Sequence, residues 1–201
     1  MDISNNIFIS NDCVSARLYQ QFQRQFDNPF IWCRMKYEDF SYLLLHYDEN
    51  TINFQNIKIE DGTNNVVNVD NKMKVYYSHY IQDTKYDTPT RITGHNYLDV
   101  RYNDIQTYCV NKYNSRLNRF LSVMTERKPI FILNQKNTLQ EFGYGISDED
   151  CNDFLHIETS YTKILVTKND FNVFSNNEYI VRKNNEDTTE IAKRIIKAVI
   201  K

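Results

Sequence analysis

A cysteine that could act as a nucleophile lies near the start of the chain, at a predicted junction between a strand and a helix. Residues 7–9 are apolar and predict a buried strand, Ser10 to Asp12 predict a turn, and a helical pattern begins at Val14. Cys13 is therefore expected at a helix N-terminus, where the helix dipole lowers the pKa of a thiol and turn amides from Asp12 to Val14 could hold an oxyanion. The alternative is that Cys13 fills the turn as a small buried residue.

A thiol nucleophile needs a general base, usually a histidine, and the chain contains four histidines. His79 follows a predicted strand and His95 lies in a long polar segment, so these two are the candidate bases. Each could equally be a solvated loop residue. His46 and His156 fall within predicted helices, and a role at the helix surface is the simpler interpretation for both.

Two arginines form a second candidate feature. Arg116 and Arg119 are three positions apart on a predicted helix, so they lie on the same face. Guanidinium groups in such an arrangement can bind a phosphate or an acidic sugar. The simpler alternative is a solvated helix face. The two glycines at Gly143 and Gly145 are too few for a phosphate-binding loop.

The composition excludes several classes of protein. The 201 residues include 24 basic and 26 acidic side chains, and this balance argues against a protein that binds nucleic acid mainly through its phosphates. The four cysteines are widely spaced and form no cluster with histidine, so no metal site is expected. No apolar run of about 18 residues occurs, and residues 1–6 lack the features of a signal peptide. We therefore expect a cytoplasmic protein without a membrane span.

The elements that must position these residues follow from apolar periodicity and turn residues. Helices are predicted at residues 14–26, 37–47, 104–124, 147–158 and 187–200. Strands are predicted at residues 7–9, 54–59, 66–69, 73–77, 129–133, 163–167 and 179–182, and a loop at residues 81–102. Their alternation predicts a three-layer α/β fold with a mostly parallel sheet, helices on both faces and some antiparallel strands. Residues 1–201 are predicted to form a single domain.

Several short segments resemble an uncharacterised bacterial family labelled exopolysaccharide or capsule biosynthesis protein. Members of that family show a strand, a turn similar to Ser-Asn-Asn-Cys, a helix and an Asn-Pro-Phe segment. The similar segments in this chain are residues 7–13, 18–19, 28–30, 75–80, 112–119 and 147–167. The resemblance covers most of the chain, and it implies that Cys13 is a functional residue in the biosynthesis of a surface glycan.

A second family, labelled papain-like cysteine peptidase, is also similar. Its Ser-Asn-Cys turn, Pro-Phe-Asp-Trp segment and Arg-x-x-Arg-Phe helix resemble the chain at Cys13, residues 29–32 and residues 116–120. The histidine of that family maps nearer His95, and this chain has Ile31 where that family has Asp. Capsule acyltransferases with a Gly-Asn-Cys turn are similar around Cys13, and this resemblance implies coenzyme A as the acyl donor.

Three functional hypotheses follow from the residues and the resemblance. The first is a thiol-dependent acyl-transfer enzyme acting on a surface glycan or its sugar-nucleotide precursor, with Cys13 as nucleophile and His79 or His95 as base. The predicted substrate-binding residues are Asn11, Asp12, Trp32, Arg116 and Arg119. The second hypothesis is a papain-like cysteine hydrolase, in which water takes the acyl group. The third is a non-catalytic sugar or nucleotide-sugar binding module, in which Cys13 is buried and unreactive.

Overall fold

The computed structural model describes residues 5–47, 51–59, 66–76, 102–135, 145–184 and 186–199. The strands in these ranges are β1 (Ile7–Ser10), β2 (Ile57–Ile59), β3 (Val66–Val69), β4 (Met73–Tyr76), β5 (Pro129–Asn134), β6 (Thr162–Thr167) and β7 (Glu178–Arg182). The helices are α1 (Val14–Gln21), α2 (Tyr37–Leu45), α3 (Tyr102–Val123), α4 (Asp148–His156) and α5 (Thr188–Val199). None of the helices in this described part of the chain is long and apolar enough to cross a lipid bilayer.

The strands form two sheets. The larger sheet has the order β1-β5-β6-β7, and every neighbouring pair in it is parallel. The smaller sheet has the order β2-β3-β4 and is antiparallel. The predicted α/β fold, with a mostly parallel sheet and some antiparallel strands, is confirmed.

Successive side chains of the large sheet enter two different apolar layers, as the pleat of a strand requires. On β5, Ile130 and Ile132 pack with the apolar faces of α1 and α5. Phe131 and Leu133 point the other way, into a layer built from α2, α3, α4 and the small sheet. All four side chains are fully buried. The sheet is therefore covered on both faces. Because the side chains on both faces are buried, its strands are continuous apolar runs in the sequence.

Helix α1 ends five residues earlier than the apolar spacing predicts. Gln23 has a backbone φ of 53°, a left-handed conformation, and the Arg24 amide donates to the Tyr19 carbonyl at 2.9 Å. The Gln23 amide bonds to the Gln20 carbonyl at 3.1 Å, which completes a Schellman motif. Phe26 still packs against the α1–α5 layer, so the apolar spacing continues although the helix does not. No glycine marks this helix end in the sequence.

The strand predicted at residues 54–59 begins only at Ile57. The residues before it form a turn that is held by Asp70, whose carboxylate accepts hydrogen bonds from the Asn53 amide at 3.0 Å and from Asn56 Nδ2 at 2.8 Å. Phe54 is buried, and its ring packs against Phe120 on α3. Its apolar character therefore reflects packing from a turn, not a position on a strand.

Candidate functional site

The turn between β1 and α1 is stabilised by hydrogen bonds between its own side chains and backbone groups. Ser10 Oγ donates to the Asp12 carbonyl at 2.5 Å and accepts a hydrogen bond from the Ser15 amide at 3.0 Å. Asp12 Oδ1 accepts a hydrogen bond from the Val14 amide at 3.0 Å. Short polar side chains serve this purpose at helix starts because the first helical amides have no partner within the helix. The turn holds Cys13 at the N-cap position of α1, as predicted.

Side-chain hydrogen bonds of two asparagines connect this turn to the neighbouring strand β5. The Asn11 side chain donates to the Asn134 carbonyl at 3.2 Å and accepts from the Asn134 amide at 2.8 Å. Asn134 Nδ2 also donates to Asp12 Oδ2 at 2.8 Å. The exposed fractions are 5% for Asn11, 2% for Asp12 and 0% for Asn134. Because buried and mutually bonded polar groups rigidify a structure, two strands together set the position of Cys13.

Polar contacts continue along the carboxyl ends of β5, β6 and β7. Lys183 follows β7, and its Nζ donates to Asn134 Oδ1 at 2.7 Å and to the Gln135 carbonyl. The Gln135 side chain accepts from Thr167 Oγ1 and donates to Asp148 Oδ1 at 2.5 Å. We call this set the carboxyl-edge network; its members are Asn11, Asp12, Asn134, Gln135, Asp148, Thr167, Asn169 and Lys183. Ligands of open α/β sheets bind at this edge.

Cys13 is the most exposed of the cysteines whose side chains the structure describes. It is 8% exposed, whereas Cys33 and Cys151 are fully buried. Burial and nearby carboxylates raise the pKa of the Cys151 thiol to about 12, so this residue is a poor nucleophile at neutral pH. The Cys33 thiol contacts two loop carbonyls at 3.3 and 3.5 Å. Of these three cysteines, Cys13 is therefore the one that retains some solvent exposure.

The first amides of α1 are not available for an oxyanion in the way the sequence predicts. The Val14 amide, one of the expected donors, bonds to the Asp12 carboxylate, and the Ser15 amide bonds to Ser10. The carboxylate also offsets the positive end of the helix dipole. A second anion is therefore disfavoured at this helix start, and the site does not fit a phosphate group of coenzyme A there.

Trp32 lies on a loop that passes the carboxyl end of β1. The Met35 amide on this loop donates to the Asn11 carbonyl at 3.0 Å. Trp32 has a backbone φ of 62°, a left-handed conformation that is rare for a bulky residue and clusters at functional sites. The guanidinium of Arg17, one helical turn after Cys13, stacks over the Trp32 ring at 4.9 Å. The structure thus places this ring beside the first turns of α1.

The two predicted arginines contact the backbone of the same loop. Arg116 is 4% exposed; its Nη1 donates to the Ile31 carbonyl at 2.8 Å, and its guanidinium lies over the Phe26 ring at 5.1 Å. Arg119 Nε donates to the Phe26 carbonyl at 2.8 Å. Both side chains therefore connect α3 to the loop that carries Trp32. Their contact with a substrate remains a prediction.

Neither candidate base falls within the described residues, since His79 and His95 both lie in residues 77–101. His46, at the end of α2, packs against Tyr42 with a ring separation of 4.3 Å. His156 ends α4 and contacts the Asn152 carbonyl through Nδ1 at 2.8 Å. Helix α4 starts at the carboxyl edge and rises about 12 Å along its axis, so His156 lies far from that edge.

Several residues of the network were not identified from the sequence. Asn134 and Gln135 directly follow the apolar run of β5, and Lys183 follows β7 by one residue. A signal for them exists, because polar residues at the carboxyl ends of parallel strands meet at one edge of the sheet. That rule selects them only once the order of the strands is known.

Comparison with protein families finds a similarity in the N-terminal half of the chain. Residues 3–98 match a domain of unknown function, DUF1919. The matched part is just under half of the 201 residues; it includes β1, the Cys13 turn and the small sheet, but not Asn134 or Lys183. The search of curated proteins gives no match, and the search of solved structures gives none. The chain is thus similar, in its N-terminal half, to a domain whose function is not known.

Proposed function

We propose that this protein is a thiol-dependent acyl-transfer enzyme that acts on a surface glycan or a sugar-nucleotide precursor, with Cys13 as its nucleophile. The supporting observation is the place of Cys13, which heads α1 beside the carboxyl end of β1 in a turn held by buried polar contacts. Catalytic groups work best when their support is rigid. This turn offers a thiol such support at the edge where α/β sheets bind ligands.

In the proposed reaction, Cys13 forms a thioester and then gives up the acyl group. The thiolate attacks the carbonyl carbon of an activated acyl donor, a C–S bond forms, and the leaving group departs with its bonding electrons. A sugar hydroxyl then attacks the thioester; a C–O bond forms and the C–S bond breaks. A general base passes the thiol proton to the leaving group and later returns the hydroxyl proton to sulfur. His79 and His95 remain the predicted bases.

The side chains around Cys13 favour a sugar as the acceptor. The exposed members of the carboxyl-edge network include a carboxylate, Asp148, and a carboxamide, Asn169, and these groups supply both acceptors and donors for hydroxyl groups. Trp32 adds a half-buried aromatic ring near the same turn. The resemblance to exopolysaccharide biosynthesis proteins supports the same substrate class.

The test follows acyl transfer from p-nitrophenyl acetate to a panel of uridine-diphosphate sugars. We expect acetyl label on the Cys13 peptide and not on the Cys33 or Cys151 peptides of the same protein, which serve as internal controls because both thiols are fully buried. Cys13→Ala should lower acetyl transfer to sugar by on the order of 10²-fold or more. Circular dichroism and the unfolding midpoint of the variant establish that it is folded.

Three other outcomes contradict the proposal. Unchanged transfer in folded Cys13→Ala excludes this residue as the nucleophile. Label that passes from Cys13 to water but to no sugar indicates the papain-like hydrolase instead. Equal label on the Cys13, Cys33 and Cys151 peptides shows that the reagent reports unfolding and not a reactive centre.

A second candidate, a non-catalytic binding module for sugars or nucleotide sugars, is favoured by the burial of Cys13. At 8% exposure the residue is buried, and the Val14 amide already has an acceptor. In that case Cys13→Ala should bind uridine-diphosphate sugars with unchanged affinity in calorimetry, and neither protein should transfer acetyl groups. Binding that is lost in Asp12→Ala but kept in Cys13→Ala would assign the carboxyl-edge network to recognition alone.

A further inference from the structure

A continuous chain of hydrogen bonds connects Lys183, after β7, to the turn that holds Cys13. Lys183 Nζ lies 2.7 Å from Asn134 Oδ1, Asn134 Nδ2 lies 2.8 Å from Asp12 Oδ2, and Asp12 Oδ1 lies 3.0 Å from the Val14 amide. Neighbouring strands are about 4.8 Å apart, so the lysine stem spans the end of β6 to reach β5. Residues 171 positions apart in sequence, Asp12 and Lys183, are thus joined through one carboxamide.

The carboxamide in the middle of this chain can be oriented in one way only. An ammonium group has donors and no acceptor, so it requires the oxygen of Asn134, and a carboxylate requires the nitrogen. Asn134 is fully buried and its backbone is held by Asn11, so the amide cannot turn to other partners. In this orientation the positive charge of Lys183 polarises the Asn134 amide and strengthens its hydrogen bond to the Asp12 carboxylate, because hydrogen bonds in a chain polarise one another.

The charge on Asp12 matters for its neighbour in sequence. Asp12 directly precedes Cys13 and both residues are buried, so the negative charge of the carboxylate opposes formation of the thiolate. Asp12 is 2% exposed, so water screens this charge weakly. A cation attached to the same carboxylate through Asn134 offsets the repulsion.

We propose that Lys183 and Asn134 are positioning residues for Cys13: they hold the Asp12 carboxylate in place and offset its charge, so that the thiolate can form. The proposal rests on the proposed function in taking Cys13 as the reacting thiol. It assigns to the site a lysine that lies outside the segment similar to DUF1919. It also explains why a buried carboxylate is compatible with a nucleophile in the adjacent position.

The test measures how fast Cys13 is alkylated by neutral iodoacetamide and by anionic iodoacetate, from the modified Cys13 peptide of the folded full-length protein. In Lys183→Met both rates should fall, and the ratio of the iodoacetate rate to the iodoacetamide rate should fall about threefold or more, because the local charge becomes more negative. Lys183→Arg keeps the cation and should restore most of the ratio. Asn134→Leu, which breaks the chain without changing any charge, should lower the ratio less than Lys183→Met does.

The ratio separates an electrostatic role from a structural one. A turn that is merely loosened exposes the thiol to both reagents and raises both rates by the same factor. The double variant Asp12→Asn/Lys183→Met, which removes both charges, should return the ratio to that of the native protein. An unchanged ratio in folded Lys183→Met, or a ratio that the double variant does not restore, overturns the proposal.

The alkylation ratio of Lys183→Met and the transfer activity of Cys13→Ala test the role of Lys183 and the proposed function separately. If Cys13→Ala keeps its transfer activity while Lys183→Met lowers the alkylation ratio, the proposed function fails and the charge coupling stands. If Cys13→Ala abolishes transfer and the ratio in Lys183→Met is unchanged, the nucleophile is assigned correctly and the role of Lys183 is wrong.

Discussion

At the scale of single residues, Lys163 shows how a polar side chain can belong to the core. It is 2% exposed, and its Nζ donates to three carbonyls at the end of α4, at distances between 2.6 and 3.0 Å. It also forms an ion pair with Glu178 at 2.8 Å. Burial acts to raise the pKa of Glu178, but hydrogen bonds from Lys163 and from two loop amides outweigh it, and the pKa is lowered. The pair joins α4, β6 and β7.

We predict that Glu178→Gln lowers the free energy of unfolding by about 3 kcal/mol at pH 7, because the ammonium of Lys163 stays buried without its counterion. A carboxylate with a lowered folded-state pKa stabilises the protein above its unfolded pKa of about 4.3, and this contribution is lost as the pH falls through the folded value. The difference between native and variant protein in urea unfolding should therefore shrink below about pH 4.

Glu158→Gln is the matched control, since Glu158 is exposed and should change stability by less than about 0.5 kcal/mol at either pH. A difference between the native protein and Glu178→Gln that stays constant from pH 7 to pH 3 would contradict the assignment of the lowered pKa to Glu178.

At the scale of elements, the helix ends follow capping chemistry more closely than apolar periodicity. Helix α4 begins where the sequence predicts, because Ser147 and Asp150 form a capping box: Ser147 Oγ accepts from the Asp150 amide at 3.0 Å, and Asp150 Oδ2 accepts from the Ser147 amide at 2.8 Å. Helix α1 ends in a Schellman motif with Gln23 in the left-handed position. The residue types of Ser147 and Asp150 predict the capping box, whereas a glutamine at position 23 gives no indication of the Schellman motif.

We predict that Gln23→Gly raises the free energy of unfolding by about 0.5–1 kcal/mol, because glycine adopts positive φ without the steric cost of a β-carbon. Gln21→Gly is the matched control: this residue is also exposed but helical, so the same substitution should cost about 0.5–1 kcal/mol. Urea unfolding of both variants checks the pair. Equal destabilisation by the two changes would show that Gln23 does not hold a left-handed conformation in solution.

At the scale of the whole molecule, one sheet separates two apolar layers that share few residues. The layer under α1 and α5 contains Ile132, and the layer under α2, α3 and α4 contains Leu133. Trp32, the only tryptophan of the chain, packs against both layers. Its fluorescence therefore reports on the junction between them. Ile132 and Leu133 are adjacent on β5 but belong to different layers, so a substitution at each position tests whether the two layers unfold together.

We predict that Ile132→Ala and Leu133→Ala each cost about 2–5 kcal/mol, because both side chains are fully buried. In each variant the unfolding midpoint from Trp32 fluorescence should equal the midpoint from far-UV circular dichroism, since the two layers meet on the same strands. Phe174→Ala, at a side chain that is 54% exposed, is the control and should change stability by less than about 0.5 kcal/mol. Separate midpoints in either core variant would show that the layers unfold independently.

The residue types and their periodicity determined the α/β class, most of the elements and the place of Cys13 at a strand-to-helix turn, because these features depend on neighbours within about one helical turn or strand. Only the tertiary structure decided what surrounds that turn. Asn11 contacts Asn134 across 123 positions and Lys183 contacts Asn134 across 49, and such contacts depend on the order of strands β1-β5-β6-β7. Local residue patterns carry no information about that order, so the carboxyl-edge network emerged from the fold.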